Sequence, residues 1–128
     1  MELGQILVQL RTEKQGYQKE LAAHLKVSIG TISNYEKGLH EPDLNNLSMI
    51  ADYYGVSTDF LLGRTGYRHP LDALELPLTD HYTFTDMLNT SVEFSDEGKR
   101  ELRNFMAYLE YKEAALKKNQ NTTKKHNK

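Results

Sequence analysis

Hydroxyl and amide groups that both donate and accept hydrogen bonds are concentrated in one short stretch of the sequence. At helical spacing this stretch offers only Ile32 and Tyr35 as inward-facing apolar side chains. A helix with so thin an apolar face cannot be mostly buried, and its small groups let the backbone approach another surface closely. A helix fits the major groove of DNA, where Ser, Thr and Asn side chains bind base edges or phosphates. The small or polar residues are Ser28, Gly30, Thr31, Ser33 and Asn34.

The residue types needed for catalysis or metal binding are not grouped in this sequence. Cysteine is absent, which excludes thiol nucleophiles, disulfides and zinc sites built on thiolates. The adjacent acids Asp96 and Glu97 suit the first turn of a helix better than an acid/base pair. The 5 histidines lack metal-ligand spacing, and we find no Ser/His/Asp order and no glycine-rich phosphate loop. We therefore expect no enzyme, no metal and no cofactor.

The charge balance of the chain bears on what it can bind. The 128 residues include 16 Lys and Arg and 18 Asp and Glu, which gives a net charge of -2. DNA-binding proteins are usually basic, so this average counts against nucleic acid, but binding depends on the charge of one face. The sequence has no apolar run of the roughly 18 residues that span a membrane, and no secretory signal. We expect a cytoplasmic, nucleoid-associated protein.

Apolar periodicity and capping residues predict five helices in the first 64 residues. Apolar side chains recur at every third or fourth position, as on one face of an amphipathic helix. Glycines at positions 16, 38, 55 and 63 fall where the periodic segments end. The predicted helices cover residues 3–14, 18–25, 29–37, 44–54 and 58–62, and the N-caps of the last three are Ser28, Asp43 and Ser57.

The second half of the chain has a different organisation. Residues 65–94 are interpreted as a linker with one candidate helical turn at residues 84–90. Residues 95–118 are predicted to form a long helix, and the basic residues 119–128 a disordered tail. The predicted fold class is therefore all-α. One face of the long helix is apolar except at Glu113, and its apolar residues are Leu102, Phe105, Met106, Leu109 and Leu116.

Several short motifs occur together in the first half of the chain. They are Gln18-x-Glu20-Leu21-Ala22, Thr31-Ile32-Ser33-Asn34-Tyr35-Glu36-x-Gly38, Leu47-x-x-Ile50-Ala51 and Val56-Ser57-x-Asp59-x-Leu61-Leu62-Gly63. With these motifs the sequence resembles the phage repressor/Cro-type family of helix-turn-helix regulators, also called XRE-like, over residues 2–64. The resemblance implies a five-helix, lambda-repressor-like DNA-binding domain in residues 1–64. It also implies a double-stranded DNA operator as partner.

The resemblance implies roles for individual residues of the second and third helices. Gln18, Thr31 and Lys37 lie where family members contact phosphates. Asn34 is the best candidate for hydrogen-bonded readout, whereas Ile29 offers only apolar contact, most naturally to a thymine methyl group. Because one position is a glycine, DNA shape is expected to matter more than direct readout. The positions that match residues facing bases or nearby phosphates are Ser28, Ile29, Gly30, Ser33 and Asn34.

Arg11 and Glu36 match positions that form an ion pair in the better-known repressors. We expect this pair to fix the third helix to the first; the alternative is two solvated charges. Two departures from the family pattern stand out. Tyr17 occupies a position that is often a capping Thr, Ser or Asn, and the residues after the third helix are not basic. Those residues are Leu39, His40, Glu41 and Asp43.

The apolar face of the C-terminal helix leaves two interpretations open. It packs within the chain, or it binds a second copy, as two-fold operators favour. Residues 95–118 are also loosely similar to the C-terminal helix of Sin-type repressors, which serves self-association and antagonist binding. We favour a homodimer, with a protein antagonist as a further candidate partner.

The predicted function is sequence-specific repression of bacterial, phage or mobile-element genes by this dimer. The alternative is an antitoxin or adaptor whose C-terminal half binds a protein partner, with DNA binding serving autoregulation. The neighbouring gene would discriminate between the two interpretations. A divergent promoter would favour the repressor, and a toxin or peptidase gene would favour the adaptor.

Overall fold

The computed structural model describes residues 1–126, which form two compact units. The first unit is Met1–Glu75, and the second begins at Leu76. Apart from two short strands the regular structure is helical, so the predicted all-α class is confirmed. Among the described residues, no helix is long and apolar enough to cross a membrane.

The five predicted helices of the first unit are present. They are α1 (Leu3–Glu13), α2 (Gln18–Leu25), α3 (Ile29–Lys37), α4 (Leu44–Tyr54) and α5 (Thr58–Leu61). The side chains of Ser28, Asp43 and Ser57 accept hydrogen bonds from backbone N–H groups in the first turns of α3, α4 and α5. Gly38 and Gly55 adopt left-handed conformations and end α3 and α4. These local signals set where the helices begin and end.

The core of the first unit draws on all five helices. Each apolar stripe turns toward the same centre, where burial of one large side chain contributes about 1.5–3 kcal/mol. Tyr35 of α3 and Tyr54 of α4 are also in this core. The largest fully buried side chains, one from each helix, are Leu7, Leu21, Ile32, Ile50 and Leu61.

The first unit extends beyond the predicted boundary at residue 64 because the next segment folds back onto it. Arg68 donates from both terminal nitrogens to the carboxylate of Glu13, each at 2.8 Å. Its guanidinium lies 5.1 Å from the ring centroid of Phe60, and its carbonyl accepts from the N–H of Ser57 at 2.8 Å. These contacts join residues far apart in sequence, which periodicity cannot reveal.

The second unit contains more structure than the predicted linker over residues 65–94. A two-stranded antiparallel sheet, β1 (Pro77–Thr79) and β2 (Tyr82–Thr83), precedes α6 (Phe84–Val92) and α7 (Asp96–His126). The turn between the strands holds His81 at φ 64°, so no glycine marks it in the sequence. The candidate turn at residues 84–90 is a complete helix, which begins with a Thr83–Asp86 capping box.

The long C-terminal helix α7 continues to His126. The disordered tail expected over residues 119–126 is therefore helical, and residues 127–128 lie outside the described residues. The hydroxyls of Thr122 and Thr123 each donate to a backbone carbonyl one turn earlier, and neither Gly nor Pro interrupts the segment. Lysines in the last turn suit the negative end of the helix dipole. Their basic character, which suggested disorder, instead favours this helix end.

Candidate nucleic-acid interface

Helix α3 is buried on one side and open on the other. Ile32 and Tyr35 face the core, with 0% and 6% of their surface exposed. The first turn is open to solvent, and Ile29 is 54% exposed. Beyond Ile29, the exposed positions are Ser28, Gly30 and Lys37, and the half-buried ones are Thr31, Ser33 and Asn34. The residues predicted to face DNA are therefore brought together around the accessible side of one helix.

The start of α3 is held by a pair of hydroxyl groups. Ser28 Oγ accepts from the backbone N–H of Thr31 at 3.1 Å and shares a second hydrogen bond of 2.8 Å with Thr31 Oγ1. A cap of this kind satisfies one of the free N–H groups at the helix start. The two hydroxyls are thus fixed in place beside the N–H groups that mark the positive end of the helix dipole.

At the other end of α3, the side chain of Asn34 lies next to His40. Asn34 Nδ2 and His40 Nδ1 are 3.4 Å apart, and both residues keep access to solvent. The contact spans the turn that follows Gly38 and steadies the orientation of the amide. One weak hydrogen bond therefore partly pre-positions the side chain of Asn34, the residue expected to read bases.

The carboxylate of Glu36 joins α3 to both preceding helices. Arg11 Nε and Nη2 donate to its two oxygens at 2.7 and 3.1 Å, and Gln18 Nε2 donates at 2.7 Å. The expected Arg11–Glu36 ion pair is thus present, and the Glu36 side chain is only 6% exposed. Hydrogen bonding to Glu36 raises the pKa of Arg11, and this outweighs burial, which lowers it. Three donors from α1 and α2 fix the end of the exposed helix.

Gln18 has a second role that the sequence analysis missed. It stands at the first position of α2, where we expected a phosphate contact, and its amide nitrogen is used by Glu36. Tyr17, the N-cap of α2, makes no side-chain capping bond. The Tyr17 side chain therefore caps none of the backbone N–H groups at the start of α2, and the Gln18 side chain is held against α3.

Gly4 is another structural residue that the sequence analysis passed over. A Cβ at this position would overlap the carbonyl oxygen of Glu36 and lie 2.8 Å from that of Tyr35. Only glycine lets α1 approach the end of α3 this closely. The signal was available, because a glycine inside a helix costs about 1 kcal/mol relative to alanine and therefore suggests a packing reason.

An exposed polar helix, fixed by its predecessor across a tight turn, is the arrangement of a helix-turn-helix DNA-binding domain. Comparison with known proteins agrees with this class. The helix-turn-helix family HTH_3 matches residues 7–61. The SPbeta prophage-derived uncharacterized HTH-type transcriptional regulator YonR of Bacillus subtilis (strain 168) is 34% identical over 110 residues, which are 86% of this chain and 97% of YonR. The chain belongs to this family of HTH-type transcriptional regulators, so the resemblance to the XRE-like regulators is confirmed.

Two further matches cover different parts of the chain. The HTH-type transcriptional regulator ImmR of Bacillus subtilis (strain 168) is 43% identical over 65 residues, which are 50% of this chain and 50% of ImmR. The chain thus spans about half the length of that relative. A solved SinR protein/SinI protein complex matches over 88% of this chain and 98% of that chain, with 23% identity and a TM-score of 0.44.

The residues expected to support dimerisation belong to α7 in the second unit. Phe105, Met106 and Leu116 are 58%, 43% and 47% exposed, and Leu102 and Leu109 are half-buried. None of the described residues of α7 is buried. The apolar face predicted from the sequence is therefore present and open within its unit.

Proposed function

We propose that this protein is a sequence-specific, dimeric repressor of bacterial, phage or mobile-element genes, acting on a DNA operator in the cytoplasm. The observation that carries the proposal is the exposed polar face of α3, a helix whose C-terminal end is held by the hydrogen bonds of Glu36. A recognition helix must reach base edges without losing its orientation. In this chain Glu36 supplies the anchor, and the first two turns of α3 supply the contact surface.

The contacts divide by chemistry. Asn34 is assigned to a base edge, most naturally adenine, and Ile29 to a thymine methyl group. Gln18, Thr31 and Lys37 are assigned to phosphates, with the N–H groups at the start of α2 assisting. Ser28, Gly30 and Ser33 are assigned to the part of α3 that lies nearest the DNA, because their small size lets the backbone come close to the major groove.

The proposed binding is light in phosphate contacts. The residues after Gly38 are Leu39, His40 and Glu41, where basic side chains would otherwise add charge. For each phosphate that the protein neutralises, the slope of the logarithm of the binding constant against the logarithm of the salt concentration becomes steeper by about 0.9. We expect a shallow salt dependence, and Lys37→Ala should reduce its slope by about one contact. A slope that implies many phosphate contacts would contradict this assignment.

Selection of bound fragments from a genomic library identifies the operator, and a variant then tests base readout. Asn34→Ala should weaken operator binding by about 1–3 kcal/mol and leave binding to an unrelated duplex unchanged. Asn104→Ala, an exposed amide on α7, is the matched control and should bind as the wild type does. Equal losses on both duplexes would refute readout by Asn34.

The dimer is proposed to form through the apolar face of α7. A single recognition helix binds weakly, and a two-fold pair of sites gains affinity from linkage. If the face instead took a protein antagonist or toxin, the chain would sediment as a monomer when alone. A monomer that still binds the selected operator tightly would favour the adaptor interpretation.

A further inference from the structure

The apolar face of α7 follows a coiled-coil spacing. Leu102, Met106, Leu109, Glu113 and Leu116 are separated by alternating steps of four and three residues. This alternation is the spacing of the core positions in a pair of supercoiled helices. We call these five positions the seam. Glu113 is its one acid, and any pairing of two α7 helices must account for this charge at an otherwise apolar contact.

A parallel pair of α7 helices would bring identical residues face to face. Glu113 would then meet Glu113 of the second copy within an apolar seam. One step beyond the seam, Lys99 would similarly face Lys99 of the second copy. Like charges so close together are repulsive, and burying them without partners adds a desolvation cost. The sequence of the seam therefore disfavours the parallel arrangement.

An antiparallel pair centred between Met106 and Leu109 removes both conflicts. In this register Glu113 lies against Leu102 of the second copy, close to the second copy's Lys99 and Arg103. The flanking positions would also complement each other, because Arg103 of each copy would face Glu110 of the other, which gives two opposite-charge pairs. Within one α7, Arg103 Nη1 and Glu110 Oε1 are 3.6 Å apart, so both side chains lie on the same side of the helix.

We propose that α7 binds α7 of a second copy in antiparallel orientation, with Met106 and Leu109 at the centre of the contact. This proposal rests on the proposed dimeric function and specifies how the dimer is built. Helix α7 begins at Asp96, so the two helix starts would be about 35 Å apart. In a parallel pair the two helix starts would be about 10 Å apart.

The absence of cysteine gives a direct test of orientation, because one introduced cysteine carries a single spin label per chain. Ala107→Cys lies near the proposed centre and Asn121→Cys near the far end, both exposed and off the seam. Distances are measured between the two labels of the full-length dimer. We expect about 20 Å or less at position 107 and about 40 Å or more at position 121.

The two labels separate failure of the orientation from failure of the dimer. Short distances at both positions would overturn the antiparallel arrangement and leave a dimeric repressor standing. No label pair at either position would overturn α7 pairing altogether. Operator binding, measured on the same samples, shows whether DNA binding persists in each outcome; a chain without α7 pairing should bind the operator more weakly, because the linkage of two sites is lost.

Charge exchange provides a second test. Arg103→Glu sets two acid pairs against each other in the antiparallel dimer and should raise the dimer Kd about tenfold. Adding Glu110→Arg should restore the wild-type Kd, because the opposite charges are exchanged across the interface. A double variant that remains as weak as Arg103→Glu would overturn the proposed register.

Discussion

Gly4 of α1 lies directly against the backbone carbonyl of Glu36 at the end of α3. This approach sets the distance between α1 and α3. The Arg11–Glu36 ion pair spans the same two helices. Together with the core packing of Ile32 and Tyr35, this backbone contact and the Arg11–Glu36 pair set the position of α3.

We expect Gly4→Ala to destabilise the first unit. The added methyl group meets backbone atoms of residues 35 and 36, which cannot rotate away, so α1 and α3 must separate. Overpacking of this kind costs about 1–3 kcal/mol in the free energy of unfolding, measured by chemical denaturation. Gly66→Ala is the control, because a Cβ at Gly66 meets nothing within 4 Å and its φ is not positive. Equal stability of both variants would mean that the helices do not meet closely at Gly4.

A second prediction concerns the ion pair that anchors α3. Arg11→Ala leaves the nearly buried Glu36 carboxylate with Gln18 as its remaining donor among the contacts described above. The expected loss is on the order of 3 kcal/mol, because a buried charge without its partner is costly. The double variant Arg11→Ala with Glu36→Ala should lose less than the sum of the single variants. Additive losses would show that the two side chains do not interact.

The chain itself offers a control for this pair. Arg68 and Glu13 also form a two-fold hydrogen-bonded pair, but their side chains are 39% and 44% exposed. Solvent screens such a pair, so Arg68→Ala should change the free energy of unfolding much less than Arg11→Ala. Comparing the two variants separates the effect of burial from that of hydrogen-bond geometry.

Local signals account for the parts of this fold that the sequence predicts. Caps such as Ser28 and Asp43 act on neighbouring backbone groups, so they can be recognised in sequence. The Arg11–Glu36 pair was expected only through family resemblance, because 25 residues separate its members. The Arg68–Glu13 pair and the turn at His81 had neither a local signal nor a family motif to indicate them. Contacts distant in sequence, and turns without glycine, are where sequence reasoning stopped.

The turn between α2 and α3 allows a stabilising substitution. Lys26 ends α2 with φ 57° and ψ 43°, a left-handed conformation that a Cβ disfavours. Lys26→Gly should raise the free energy of unfolding by about 1 kcal/mol. Lys26→Ala removes the same charge but keeps the Cβ, so it should give no such gain. If both variants gain equally, the charge rather than the backbone conformation is responsible.

The last prediction follows from the burial of Tyr54 at the end of α4. Burial, assisted by the nearby Tyr53 and Glu36, raises the pKa of Tyr54 to about 12. In the unfolded chain the pKa is about 10, so between pH 10 and 12 the unfolded state releases a proton that the folded state retains. The stability supplied by the neutral phenol is therefore complete below pH 10 and is lost as the pH rises toward 12.

Chemical denaturation at pH 9 and pH 11 measures this loss. Wild-type protein should lose stability between these values by on the order of 1 kcal/mol through Tyr54. Tyr54→Phe cannot ionise, so its loss should be smaller by that amount. Tyr111→Phe removes a phenol on a residue that is 76% exposed and should follow the wild type. If Tyr54→Phe also followed the wild type, the phenol of Tyr54 would ionise equally in the folded and unfolded states.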